Sequence, residues 1–238
     1  MTELRVLVTG GGRGIGRAIA LRFAREGASV VVAARTSAQL DAVVGEIEKA
    51  GGRGLAAQMN VSDHGSVEAA VWRAVEFCGG TLDVLVNNAG TFDLKPIGAM
   101  RVPDWSVAIE TNLTGPFLVT LEALDHLAES ERGHVFNVAS KAAKQGFPGA
   151  TAYCASKYGL RGFSDALRED LRPKAIRVTT VYPGGVDTSI WDGVEGQFDR
   201  SRMLKPEAVA DAVLAAYRAG PDAKIDDVDV LGAYDGVA

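Results

Sequence analysis

Tyr153 and Lys157 stand four positions apart in ATAYCASKYGLRGFSDALRED, a stretch that begins at Ala150. On a helix that spacing puts both side chains on one face, roughly 6 Å apart along the axis. Free tyrosine has a pKa near 10, too high for a base at neutral pH, but a nearby ammonium stabilises the phenolate and lowers that value. The pair can therefore move a proton. It is also common on ordinary helix surface, so it needs company. Ser140 ends the run GHVFNVAS thirteen residues earlier, where its hydroxyl can hold a substrate carbonyl oxygen towards the tyrosine. Asn112, in TNLTGPF, falls in a helical pattern where asparagine has poor propensity. Its amide can tether a water that links Lys157 to solvent. Tyr158 has Gly162 four residues later and no lysine to activate it.

A second constellation lies near the start. In TGGGRGIG the informative glycines are Gly10, Gly14 and Gly16, spaced GxxxGxG. No set of glycines here satisfies GxGxxG, and Arg17 and Ala18 replace the Lys and Ser/Thr of a P-loop. Glycines allow a tight turn and close backbone approach, and the following helix N-terminus can hold a pyrophosphate through its free N–H groups and dipole. An NAD site usually places an acid about 20 residues further on, after the second strand. Here AARTS puts Ala34 in that slot with Arg35 beside it. An arginine suits a 2′-phosphate through bidentate, charge-assisted hydrogen bonds, and Arg13 inside the turn adds a second positive charge. The expected cofactor is NADP(H), with NAD(H) possible.

Both constellations need elements to position them. Short β-branched runs alternate with longer helical patterns: LRVLVT, SVVVAA, RGLAAQM, LDVLVNNAG, GHVFNVAS, IRVTTVYPG and a last run, VDVLG. Runs as continuously apolar as VVVAA suit strands covered on both faces. Seven such runs separated by helices predict an α/β doubly wound, mostly parallel sheet with right-handed crossovers. Between NNAG and GHVFNVAS one long helical pattern is expected around residues 104–131. Ligands of such sheets sit beyond the carboxyl ends of the strands, where this chain reads TGGGRGIG, ARTS, NVSD, NNAG, VAS and YPGGVDT.

Composition narrows the class. The 238 residues fit a single domain, 1–238, and a chain of this size buries roughly three quarters of its unfolded surface without stapling. A net charge of −5 gives no support to nucleic acid or an anionic membrane as partner. Cys78 and Cys154 form no CxxC or Cys/His cluster, so no metal site and a reducing, cytoplasmic setting are expected. No stretch reaches 18 apolar residues, and the short apolar run at the start ends in glycines, unlike a signal peptide. His64, His126 and His134 sit on helix or turn stretches and are assigned no chemistry.

Taken together, Thr9-Gly10-xxx-Gly14-x-Gly16, NNAG at 87–90, Asn112, Ser140, Tyr153-xxx-Lys157 and PGGVDT at 183–188 resemble the short-chain dehydrogenase/reductase family, in order from residue 4 to about 190. The resemblance implies one Rossmann-type sheet of order 3-2-1-4-5-6-7 and a Ser140–Tyr153–Lys157–Asn112 catalytic set. Tyr153 would be general acid in reduction and base in oxidation; Lys157 would lower its pKa and hold the nicotinamide ribose. Ser140 would orient the carbonyl, and Asn112 would complete a proton relay. Gly12, Ile15, Asn88, Ala89 and Gly90 would floor the cofactor, with Asn60 and Val61 at the adenine. Pro183, Gly184, the Val186 backbone and Thr188 would hold the carboxamide or phosphates. Two departures stand out: Asn60 occupies a position where the family often has Asp, and the tail DDVDVLGAYDGVA lacks a common DGG ending.

The family keeps a mobile substrate flap at about 188–205, where Ile190, Trp191, Val194, Phe198 and Met203 are apolar. Gln145, Phe147 and Pro148 are expected on the opposite wall, with Gly185 also near substrate. A small ketone, a hydroxy acid and a β-ketoacyl thioester all stay open, and Arg200, Arg202 and Lys205 could meet an acidic acyl carrier. The expected activity is hydride transfer between nicotinamide and a carbonyl or secondary alcohol. A dinucleotide-sensing protein without turnover would be expected to lose the tyrosine or lysine, and both are present. A sugar epimerase or dehydratase would be expected to carry a larger C-terminal substrate region. The resemblance also implies a homodimer or homotetramer through the helices around 112–131 and 152–171.

Overall fold

The apolar runs are strands in the computed structural model, which describes residues 4–194, 198–220 and 223–232. They are β1 (Arg5–Thr9), β2 (Ser29–Ala34), β3 (Arg53–Gln58), β4 (Val84–Asn87), β5 (His134–Val138), β6 (Arg177–Pro183) and β7 (Asp227–Val230). Their order is β3-β2-β1-β4-β5-β6-β7, and every pairing is parallel. Parallel neighbours need crossovers, and helices supply them on both faces. The α1 (Gly14–Ala24), α2 (Ser37–Lys49) and α7 (Pro206–Arg218) helices cover one face; Ile19, Phe23, Leu40, Ile47, Val209 and Val213 pack there on Val6, Val8, Val30 and Val32. On the other face, α3 (His64–Phe77), α5 (Gly115–Ala128) and α6 (Thr151–Leu171) bring Val67, Val71, Val119, Leu127 and Leu171 onto Leu7, Val31, Leu85 and Val135. Double coverage explains why β4 and β5 are buried at every residue, while the edge strand β7 alternates exposed and half-buried.

The sheet grows outwards from β1 to β3, then returns to place β4 on the other side of β1. That reversal opens a crevice at the carboxyl ends of β1 and β4, the usual ligand position in such sheets. The two turns flanking the crevice are tied together. Thr9 accepts the N–H groups of Asn88 and Ala89 through Oγ1, each at 3.0 Å, and donates to Val86 O. Asn88 Nδ2 in turn donates to Thr9 O at 2.9 Å.

One expected element is different. The long pattern around 104–131 is α4 (Val102–Ile109) and α5 joined by a π turn, Glu110–Thr114, in which Gly115 N–H reaches back to Glu110 O. The extra residue in the turn brings Asn112 inwards, fully buried. Such π bulges recur at functional sites, and this one gives the asparagine a place in the helical run: its side chain faces inwards and bonds Thr91 and Ser156. His134 also differs from expectation, being the buried first residue of β5. Residues 195–197 of the expected flap and 233–238 of the tail lie outside the described residues.

Candidate active site

The glycine turn at the end of β1 is built for close approach. Gly10 has φ +64°, and a Cβ there would fall 2.8 Å from Asn88 Nδ2 and 2.9 Å from Ala89 Cα. A Cβ on Gly16 would lie 2.3 Å from Gly10 O, so α1 can start hard against the turn only with glycine there. Helix α1 has no side-chain cap at Arg13 and no acid in its first turn, leaving its N-terminal N–H groups and dipole available to an anion. Gly12 faces the Gln39 and Leu40 side chains, and Ile15 packs on the core beneath the turn. Arg35 is exposed just beyond β2, its carbonyl accepting from Gln58 Nε2, and Arg13 is exposed with Nη1 donating to Ser189 Oγ at 2.9 Å. An uncapped helix start, a bare glycine turn and two exposed guanidinium groups fit a phosphorylated dinucleotide. Asn60 is exposed and its Oδ1 accepts from Ser62 N–H at 3.3 Å, while Val61 is buried against Gly115.

Beyond β4 and β5 the predicted polar set comes together. The Tyr153 hydroxyl hydrogen-bonds Ser140, whose Oγ also accepts Ala142 N–H at 3.1 Å. Lys157 is 4 % exposed, donates from Nζ to Val138 O at 2.9 Å, and lies 5.8 Å from the centre of the Tyr153 ring. Asn112 accepts Thr91 N–H at 2.8 Å through Oδ1 and donates through Nδ2 to Thr91 O and to Ser156 Oγ, both at 3.0 Å. Ser156 completes the chain by donating to Tyr153 O at 2.7 Å. Gly90 keeps the centre open: a Cβ there would lie 3.2 Å from Asn112 Oδ1 and 3.8 Å from Lys157 Nζ. Both Asn112 N–H bonds are spent, so a water joining it to Lys157 would have to donate to Oδ1.

Burial sets the proton affinities. It pushes the Tyr153 phenol up to about 12, against the opposing pull of its bond to Ser140. The same desolvation brings Lys157 down to about 8. This departs from the expectation that Lys157 lowers the tyrosine. Within the protein's own groups the cost of burying a phenolate wins, and burial keeps the Tyr153 phenol neutral at pH 7.

The segment after β6 is stitched to itself. Gly184 N–H donates to Val230 O, and Val186 pairs with Leu204 beside bonds from Asp187 N to Leu204 O and from Leu204 N to Gly185 O. Thr188 lies against Gly14, whose Cβ would fall 3.1 Å from its Cγ2, and Oγ1 accepts Ile190 N–H. Trp191 donates from Nε1 to Val186 O at 2.9 Å. Arg200 binds Asp187 at 2.7 Å, Asp192 at 2.9 Å and Thr188 O at 3.1 Å, and Lys205 binds Asp187 at 2.9 Å. Two of the three cations that could meet an acyl carrier are thus engaged inside the flap. On the opposite wall, Phe147 is half-buried with Lys141 Nζ 5.9 Å from its ring centre; Gln145 and Pro148 are exposed.

Three contributors carry no local signal. Phe92 is an ordinary loop residue by sequence, yet its ring packs edge-on with Tyr153, centres 4.7 Å apart, and with Trp191 at 5.1 Å. Thr91 acts through its backbone, and Ser156 through a hydroxyl next to Lys157 in the chain. Only the π turn makes either visible. Tyr158 is 45 % exposed, whereas Leu160 is buried and Phe163 and Leu167 pack on the core.

The comparisons agree with this geometry. A sepiapterin reductase of Chlorobaculum tepidum is 34% identical over 219 residues, covering 89% of each chain. A 3-oxoacyl-[acyl-carrier-protein] reductase of Synechocystis is 34% identical over 239 residues, 95% of this chain and 96% of the relative. Among solved structures, an alcohol dehydrogenase of the archaeon Thermococcus sibiricus complexed with 5-hydroxy-NADP superposes with a TM-score of 0.90 at 26% identity over 99% of both chains. A metagenomic short-chain oxidoreductase in complex with NADP gives 0.83 at 32% identity, over 95% of this chain and 96% of that one. The short chain dehydrogenase family matches residues 5–197, and this chain, with its 3-2-1-4-5-6-7 parallel sheet, belongs to it.

Proposed function

We propose that the chain is an NADP(H)-dependent oxidoreductase that interconverts a small carbonyl compound and its secondary alcohol. The observation that carries this reading is the convergence of Ser140, Tyr153 and buried Lys157 at the carboxyl edge of the sheet. When bound, NADPH supplies a hydride, which the carbonyl carbon receives. Tyr153 then gives its proton to the carbonyl oxygen, so ketone, NADPH and a proton become alcohol and NADP+. Ser140 holds that oxygen at the tyrosine hydroxyl. The Lys157 ammonium stabilises the phenolate left behind, and Asn112 accepts from a water that returns a proton to the lysine. In the reverse direction Tyr153 is the base, and the positive charges of Lys157 and of the oxidised cofactor oppose the cost of burying its phenolate.

Arg35, with Arg13 beside it, reads the 2′-phosphate; the absence of an acid after β2 supports NADP(H) over NAD(H). The NADP complexes of two structural neighbours point the same way. Gly10, Gly12, Gly14, Ile15 and Gly16 cradle the pyrophosphate, Asn60 and Val61 the adenine, and Asn88, Ala89 and Gly90 the nicotinamide side. Pro183, Gly184, Val186 and Thr188 hold the carboxamide. Gln145, Phe147, Gly185, Ile190 and Trp191 meet the substrate. A panel of ketones with NADPH, followed by loss of NADPH absorbance, tests the reading; no turnover of any carbonyl would refute it.

Helices α5 and α6 leave Phe117, Leu121 and Tyr158 exposed at 46 %, 49 % and 45 %. A second copy of the chain covers that face in a homodimer or homotetramer, as light scattering would detect. Among the described residues no helix is long and apolar enough to cross a membrane, and no group of metal-ligating side chains gathers.

A further inference from the structure

We infer that the substrate carbonyl carries an aryl or similarly flat conjugated group, read by Phe92 and Trp191. The inference rests on the proposed role of Tyr153. A carbonyl oxygen shared between Tyr153 and Ser140 fixes the reacting carbon beside the tyrosine ring, so its two substituents must lie along the ring's flanks. Two surfaces border that ring. On one, Phe92 stands at 75° to Tyr153 with centres 4.7 Å apart, Trp191 at 68° to Phe92 with centres 5.1 Å apart, and Phe198 follows Trp191 at 4.6 Å. All three outer rings are half-buried rather than sealed in the core. The other is a cavity of about 130 Å3 lined by Thr91, Asp93, Lys95, Met100, Asp104, Val107, Ala108 and Ala152, with Lys95 Nζ held 3.0 Å from Asp93 and 2.7 Å from Asp104. A flat apolar group in the cavity would meet the Asp93–Lys95–Asp104 ions as well as Val107 and Ala108; against Phe92 and Trp191 it meets rings alone.

The wall is also held in place. Asn112 clamps both the N–H and the C=O of Thr91, the residue before Phe92. Trp191 is pinned through Nε1 to the Val186 carbonyl. Rigid rings pay little ordering entropy on binding. An aromatic partner in edge-to-face or offset contact adds to simple area burial, on the order of two- to tenfold in affinity per ring pair. A saturated ring of the same size gains the area alone.

Acetophenone and cyclohexyl methyl ketone are close in size; conjugation makes the acetophenone carbonyl intrinsically the less electrophilic, so a ratio above one is the protein's doing. With NADPH, wild-type protein should reduce acetophenone with a kcat/KM about tenfold higher or more. Phe92→Leu and Trp191→Leu should each bring that ratio towards one. The ratio cancels any loss common to both substrates, so a variant with impaired folding does not mimic the result. A wild-type ratio of one or below, or a ratio that survives both substitutions, overturns the inference. If neither ketone is reduced while another carbonyl is, the aryl preference fails and the oxidoreductase reading stands; if no carbonyl is reduced, both fall.

Discussion

The floor of the site and its rim are organised in opposite ways. Asn112, Ser156 and Lys157 at the floor are buried, and each spends its polar atoms on bonds inside the chain. Arg35, Arg13 and Asn60 at the rim are exposed, Arg13 bonding the Ser189 hydroxyl and Asn60 Oδ1 the Ser62 N–H. The difference separates two tasks. Proton chemistry needs groups whose affinities are set before substrate arrives, and only burial and fixed hydrogen bonds do that. Phosphate recognition needs a charge that stays hydrated until its ligand replaces the water. Floor substitutions should therefore damage turnover and stability, and rim substitutions should redirect cofactor choice with the fold intact.

The largest effect is expected at Tyr153→Phe, which removes the proton donor and leaves the ring packed on Phe92. Steady-state kinetics should show kcat reduced by roughly 10²–10⁴-fold, while titration of NADPH fluorescence finds binding retained; near-normal turnover would eliminate Tyr153 as the acid. Asn112→Ala strands the Thr91 N–H and C=O in a partly buried place and leaves the Ser156 hydroxyl only its bond to Tyr153 O. Unsatisfied groups there cost about 1–3 kcal/mol each before relaxation, so thermal denaturation should show Tm lowered by several degrees. An unchanged Tm would mean that the π turn does not depend on its asparagine.

At the rim, Arg35→Asp should shift the NADPH-to-NADH ratio of kcat/KM by about 10- to 100-fold, the range of lost charge-assisted bonds. Its Tm should match the parent; a shifted Tm with an unshifted ratio would reverse the assignment of floor and rim. The smallest effect is one of pH. Lys157, brought down to about 8 by burial, is charged below that value and neutral above it. In the proposed mechanism its ammonium accommodates the phenolate, so kcat for reduction should hold on the acid side and fall as pH rises past about 8. A profile flat to pH 9.5 would mean that the lysine charge plays no part in the step.

Much of this was legible in the chain. Continuous apolar runs reveal doubly covered strands, alternation with helices reveals the parallel sheet, and β-strand ends mark where a ligand sits. The Tyr153–Lys157 spacing, the glycine turn and Arg35 are equally local, since each depends on residues within a few positions along one element. Asn112 was visible only as a misfit in a helical pattern. The tertiary structure decided that a π turn faces it inwards and that its amide clamps Thr91.

The same division holds elsewhere. Sequence alone placed Ser140, Tyr153 and Lys157 in one constellation, because helical periodicity and strand ends are short-range properties. It could not give the direction in which Tyr153 shifts, which depends on how many distant atoms exclude water from the phenol. Nor could it show Phe92 against Tyr153, or Arg200 and Lys205 spent on Asp187. Those contacts join residues more than ten positions apart, and packing chooses them only when the sheet and its helices have closed around one core.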